Sequence, residues 1–263
     1  MENRKEYPIC DSLYKNPAKH CAALVVTENI LKDENGWPKF AQPTDELRNG
    51  TLTFVKANSK VYGITCWHVV EHYRNQTAKS GNTYSHTMRT MVNGFYVVLD
   101  RFIRPQPQFG DPPIDIAIRE LDPEFPEAIG KIPIDLDTNI DPPKHIGHGY
   151  AVGFPESMKY KKMEDQSGYR VSMPQVEILA EIEAMPVCRF TLYSELEQKP
   201  AQTDYSGMSG GPIFWSTKEH YGMFGVIYEG GVGSELSDSK TIFVYGELAT
   251  PEIIKGWIKQ LSA

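Results

Sequence analysis

The stretch Gly207-Met208-Ser209-Gly210-Gly211-Pro212 sets a serine among glycines. A nucleophilic hydroxyl beside an anion-binding pair of backbone N–H groups requires such a setting. Gly207 can turn its N–H toward a substrate carbonyl, and Gly210 and Gly211 let a substrate backbone come close. A glycine-rich turn ahead of a strand reads the same way and does no chemistry. A serine hydroxyl is a weak nucleophile at neutral pH and needs a base. His68 ends the apolar run Gly63-Ile64-Thr65-Cys66-Trp67-His68-Val69-Val70, and imidazole suits that task. A capping or core histidine is the alternative. The base in turn needs a carboxylate to fix its tautomer. Asp115 lies inside Ile114-Asp115-Ile116-Ala117-Ile118, where a lone carboxylate is costly to bury. An aspartate capping a turn at a strand edge is the alternative here.

The elements that must position these residues read as strands. Of 263 residues, 40% are hydrophobic, enough for a real core in one large domain or two small ones. Short apolar or β-rich runs occur at 21–26, 51–55, 61–66, 95–99, 114–118, 149–153, 176–184, 187–193, 211–215, 222–228 and 241–245. Turn residues separate them, a pattern of all-β sandwiches and barrels. Helical signals are few: a short turn over 69–74, and residues 251–261, where Pro251 opens a segment that aligns Ile253, Ile254, Trp257, Ile258 and Leu261 on one face. The break between halves is expected within 121–131, and surface loops at 104–113 and 156–174. The net charge of −7 argues against a nucleic-acid partner. The N-terminus lacks the apolar core of a signal peptide, and no run is long enough to span a membrane. The four cysteines are widely spaced, which favours free buried thiols over disulfides or a metal site. A cytoplasmic protein is expected.

A Gly-x-Ser-x-Gly motif also occurs in the α/β-hydrolases, which follow the order serine, acid, histidine. Here His68 and Asp115 precede Ser209. That order, together with the segments around it, resembles the chymotrypsin-like (trypsin-like) serine peptidases over about residues 21–261. The run from Gly50 to Val70 resembles the family's first hairpin ending in the histidine. Asp115-Ile116-Ala117-Ile118 is similar to its Asp-(Ile/Leu)-Ala-(Leu/Val) segment. Gly149-Tyr150-Ala151-Val152-Gly153-Phe154-Pro155 resembles a second-barrel strand, and Phe224-Gly225-Val226-Ile227-Tyr228-Glu229-Gly230 resembles the strand lining the substrate cleft.

The resemblance implies an all-β fold of two six-stranded antiparallel β-barrels with a C-terminal helix. Its expected parts are an N-terminal extension (1–20), a first barrel (about 21–121), a second barrel (about 131–248) and the helix (251–261). It implies a serine endopeptidase with a His68–Asp115–Ser209 triad, an oxyanion hole from Gly207 and Ser209, and no metal or other cofactor. Thr203 matches the base of the specificity pocket, and adjacent Asp204 leaves basic, apolar and small side chains open before the scissile bond. Glu229 repels acidic substrates, and Tyr228–Gly230 pairs with substrate backbone. Met208 stands where secreted members carry an aspartate that pairs with a newly cleaved N-terminus. The chain thus resembles the bacterial, HtrA-like branch more than secreted zymogens. Trp67 is bulkier than the family's residue before the histidine, and Val69 replaces a half-cystine. Besides the active peptidase, two readings stay open: a non-cleaving peptide-binding or scaffolding module, and a peptidase idle until a protein partner orders its loops.

Overall fold

A two-residue turn, Asn58-Ser59, has both residues at positive φ (50° and 66°). That geometry matches the twist of paired strands, and asparagine tolerates it well. It joins two strands of the first sheet in the computed structural model, which describes residues 7–28, 49–81, 86–90, 101–107, 113–138, 140, 142–164, 168–184, 188–196, 204–232 and 240–261. The strand expected at 95–99, and Thr203, lie outside the described residues.

In chain order, the first half contains α1 (Asp11–Tyr14), β1 (Cys21–Glu28), β2 (Asn49–Ala57), β3 (Lys60–Cys66), α2 (Trp67–Ser80), β4 (His86–Thr90), β5 (Ile116–Leu121), α3 (Phe125–Ala128) and β6 (Ile134–Asp135). Its sheet runs β4-β1-β2-β3-β5, and β6 pairs with β2 in parallel. Among the described residues this sheet is a half-barrel, not the closed antiparallel barrel expected. The chain leaves it later than the break at 121–131 suggested, because residues 134–135 return to β2. Helix α2 covers 14 residues where a short turn was expected. Only Val69 and Val70 of it are buried, so a mostly solvated helix carries no apolar periodicity to read.

The second half contains β7 (His148–Gly153), β8 (Tyr160–Glu164), β9 (Gly168–Ser172), β10 (Val176–Ala184), β11 (Arg189–Glu195), β12 (Pro212–Ser216), β13 (Tyr221–Val232), β14 (Thr241–Leu248) and α4 (Pro251–Gln260). Six of the strands close into an antiparallel barrel, β10-β11-β14-β13-β12-β7, and β8 and β9 form a separate hairpin. Gly225 and Gly246 admit the Phe190 ring to its interior: a Cβ on either would meet that ring at 2.4 and 2.3 Å. Helix α4 starts at Thr250, whose hydroxyl accepts the Ile253 N–H, and it buries Ile254, Trp257 and Ile258. Each such side chain contributes about 1.5–3 kcal/mol by leaving water. Among the described residues no helix is long and apolar enough to cross a membrane. All four cysteines are free; Cys10, Cys21 and Cys66 are buried, whereas Cys188 is exposed.

Residues 7–20 dock across both halves. Leu13 is fully buried, and the Cys10 N–H donates to Ser216 Oγ at 2.8 Å. The His20 ring lies between the Ile132 carbonyl (2.6 Å from Nδ1) and the Tyr221 hydroxyl (2.8 Å from Nε2). Burial pushes His20 down from 6.5 to about 4, so the unfolded chain takes up this proton first as pH falls. The stability held by neutral His20 is whole above pH 6.5 and is lost between there and about pH 4, roughly 3 kcal/mol in all. Urea melts in steps from pH 7 to pH 4 are expected to register this loss. His20→Gln removes most of that slope; a variant that keeps it would assign the acid sensitivity elsewhere.

Candidate active site

Asp115 both caps the start of α2 and bonds the His68 ring. The first N–H groups of a helix have no partner within it. At the start of α2, the Trp67 N–H donates to the Asp115 carbonyl at 3.2 Å and the His68 N–H to Asp115 Oδ1 at 3.0 Å. The other carboxylate oxygen, Oδ2, takes the His68 Nδ1–H at 2.6 Å. The imidazole is thereby held through backbone and ring at once. With Nδ1 as the donor, Nε2 is the acceptor.

The Trp67 indole packs against the guanidinium groups of Arg74 and Arg104, 4.7 and 5.6 Å from the ring centre. Arg74 donates to the Phe102 carbonyl and Arg104 to that of Ile114. The bulk before the histidine therefore braces the segment that carries Asp115.

The serine loop is anchored from two sides. Met208 is fully buried and belongs to the second barrel's apolar core, with Tyr205, Ile213 and Ile227. From β2, Thr51 donates through Oγ1 to the Gly207 carbonyl (3.0 Å) and through N–H to the Ser209 carbonyl (2.8 Å). Thr53 Oγ1 donates to the Gly210 carbonyl at 2.7 Å. In a trans peptide the carbonyl and the next N–H point opposite ways. The Ser206 carbonyl accepts the Glu156 N–H at 2.6 Å and the Met208 carbonyl accepts the Gly211 N–H at 2.8 Å. These bonds set the directions of the Gly207 and Ser209 N–H groups, which find no acceptor among the described residues. Gly207 sits at φ +94° and Gly210 at +95°, where L side chains are strained.

His68, Asp115, Gly207, Ser209, Tyr228 and Glu229 line one cleft of about 530 Å³. Ser209 Oγ donates to the Tyr228 carbonyl at 3.1 Å; among the described residues no hydrogen bond joins Ser209 to His68. Tyr228 lies at a bulge between β13 and β14. Arg189 stacks over its ring at 4.8 Å and pairs with buried Glu247 at 3.3 Å. Burial raises the Glu247 carboxyl. Gly230 continues β13 opposite Val244.

Asp204 is exposed, its Oδ1 accepts the Ser206 N–H at 2.8 Å, and it is not among the described residues that line the cleft. Among the described residues, the acids lining the cleft besides Asp115 are Glu229 and Glu156. Sequence reasoning missed Glu156, as part of a polar loop, and the cleft residue Asn49; Thr51 and Thr53 read only as strand formers. The donor atoms of Cys66, His68 and Asp115 lie within 4.8 Å of one another. However, Cys66 donates to the Ile227 carbonyl at 3.0 Å, and burial pushes its thiol well above the usual range. A protonated thiol and a ring nitrogen already bonded to Asp115 do not form a ready ligand set.

No family model and no curated protein matches the chain. Among solved structures it is similar to a thermostable serine protease, AL20, from an extremophilic microorganism: 10% identity, TM-score 0.48, covering 92% of this chain and 96% of that one. It is similar to the protease Anisep from Arthrobacter nicotinovorans at 14% identity and TM-score 0.45, over 96% and 95% of the two chains. A serine protease of a human pathogenic astrovirus matches at 14% identity and TM-score 0.39, over 88% and 91%.

Proposed function

We propose that this chain is a chymotrypsin-like serine endopeptidase acting through Ser209, His68 and Asp115. The observation that carries the reading is the doubly held His68, oriented by Asp115 on the wall of the cleft that contains Ser209. In the proposed reaction His68 Nε2 takes the Ser209 proton as Oγ attacks the scissile carbonyl. Asp115 stabilises the imidazolium. The Gly207 and Ser209 N–H groups receive the developing oxyanion, an interaction worth about 10²–10³ in rate per donor. His68 then gives its proton to the leaving amine, and water hydrolyses the acyl-enzyme. Substrate backbone on the acyl side adds to β13 at Tyr228–Gly230.

The hydrogen bond from Ser209 Oγ to the Tyr228 carbonyl favours one refinement: the site rests idle. Attack requires the hydroxyl to turn from that carbonyl to His68, and bound substrate or a protein partner would supply the bias. Met208, buried among apolar side chains, replaces an ionic anchor by an apolar one. Activation by pairing with a new N-terminus has no partner at that position.

A fluorophosphonate probe tests the reading. Labelling of the parent chain and none of Ser209→Ala is the expected result. A parent that stays unlabelled, alone and with substrate peptides, sinks the peptidase in favour of the binding module.

A further inference from the structure

The side of the cleft beyond Gly207 holds groups that the reaction above does not use. A Cβ on Gly207 would lie 2.4 Å from Asn49 Nδ2, 2.8 Å from the Glu156 N and 2.8 Å from the Phe154 carbonyl. The Asn49 side chain and the Glu156 backbone therefore flank the residue whose N–H is assigned to the oxyanion. Asn49 is 7% exposed and lines the cleft. Its Nδ2 donates to the Phe154 carbonyl at 2.7 Å, while its Oδ1 is buried with no donor among the described residues. Buried amide oxygens are normally satisfied, and an orphan on a residue of the cleft wall is a place for a ligand donor once the wall yields to it. Glu156 also lines the cleft, and Lys159 Nζ lies 3.2 Å from its Oε1, both side chains being 16% exposed. Among the described lining residues the acids are Asp115, Glu156 and Glu229, and no lysine or arginine is present.

We infer that Asn49 and Glu156 form a subsite for the leaving half of the substrate, selective for lysine or arginine within the two residues after the scissile bond. The inference rests on the peptidase reading, in which the acyl half occupies β13 and the leaving half crosses Gly207. An ammonium or guanidinium brings several donors and no acceptor, the complement of a cleft that holds an orphan amide oxygen and a carboxylate. Lys159 fills part of that role through its contact with Glu156 and gives way to the substrate's cation. A charge-assisted hydrogen bond of this kind corresponds to about tenfold or more in selectivity.

The test uses peptides identical on the acyl side and carrying Lys, Ala or Glu after the scissile bond. Cleavage is measured as kcat/KM on the parent chain, and binding by anisotropy on Ser209→Ala. The parent is expected to favour the Lys over the Glu peptide by about tenfold or more, Glu156→Gln to lose most of that ratio, and Lys159→Met to increase it. If the parent is labelled by the fluorophosphonate and cuts all three peptides alike, or keeps its ratio in Glu156→Gln, the subsite is wrong and the peptidase stands. If the parent is neither labelled nor cuts, the peptidase falls and binding decides the subsite alone. Lysine-selective binding that Glu156→Gln abolishes keeps it; unselective or absent binding overturns it.

Discussion

If the proposed peptidase reading holds, Asp115→Asn is expected to lower kcat by about 10⁴-fold while leaving the melting temperature nearly unchanged. The reason is the division of labour between the two carboxylate oxygens. Oδ1 accepts the His68 N–H and Oδ2 the Nδ1–H. An asparagine with its carbonyl on the helix side still caps α2. Its amide nitrogen then faces Nδ1 as a donor, which moves the ring proton to Nε2. The nitrogen that should accept the Ser209 proton then carries one, and the base is lost without loss of fold. Steady-state kinetics with thermal melts separate the two effects, and ¹⁵N shifts of the imidazole report the tautomer. A variant within tenfold of the parent would show that Asp115 does not orient the base. A variant that is inactive because it melts early would make Asp115 a cap and nothing more.

Gly210→Ala destabilises the chain by more than about 3 kcal/mol, the sum of left-handed strain on a side-chain residue and overpacking. Its backbone lies at φ +95°, and a Cβ would come 2.1 Å from the Thr51 carbonyl and 2.6 Å from Thr65 Oγ1. The first of these is backbone of β2 and cannot swing aside. The added methyl would push β2 off the serine loop, where Thr51 and Thr53 hold it. Gly81 supplies the control: it also has positive φ (67°), but nothing among the described residues lies within 4 Å of its Cβ position. Gly81→Ala is expected to cost about 1 kcal/mol through backbone strain alone. Urea melts of the two variants measure the difference. Equal losses would mean that the contact between β2 and the serine loop is slack.

Much of the site was legible because its signals are local. A serine between glycines, a histidine at the end of an apolar strand and an aspartate inside an apolar run are each read within six residues. Their chain order separated two folds that share the serine motif. The C-terminal helix was legible for the same reason, its apolar face recurring at helical spacing. Helix α2 was not, since it buries only its first turn and its polar remainder carries no period. The parallel pairing of β6 with β2 was invisible too, because two residues are too few for a pattern. Adjacency to a position of the resembled family could not show that the Asp204 carboxylate takes the Ser206 N–H.

By itself the sequence determined which chemical groups are present, in what order, and that strands would carry them. Those properties depend on residue type and on periodicities of two or a few residues. The tertiary structure alone decided which groups meet. Barrel closure buries Met208, and β2 brings Thr51, Thr53 and Asn49 against a loop more than 150 residues away. The same folding carries Glu156 into the cleft and turns the Ser209 hydroxyl to Tyr228. Contacts between distant segments follow from how two sheets pack and where peptide planes point, and no short stretch of sequence encodes either.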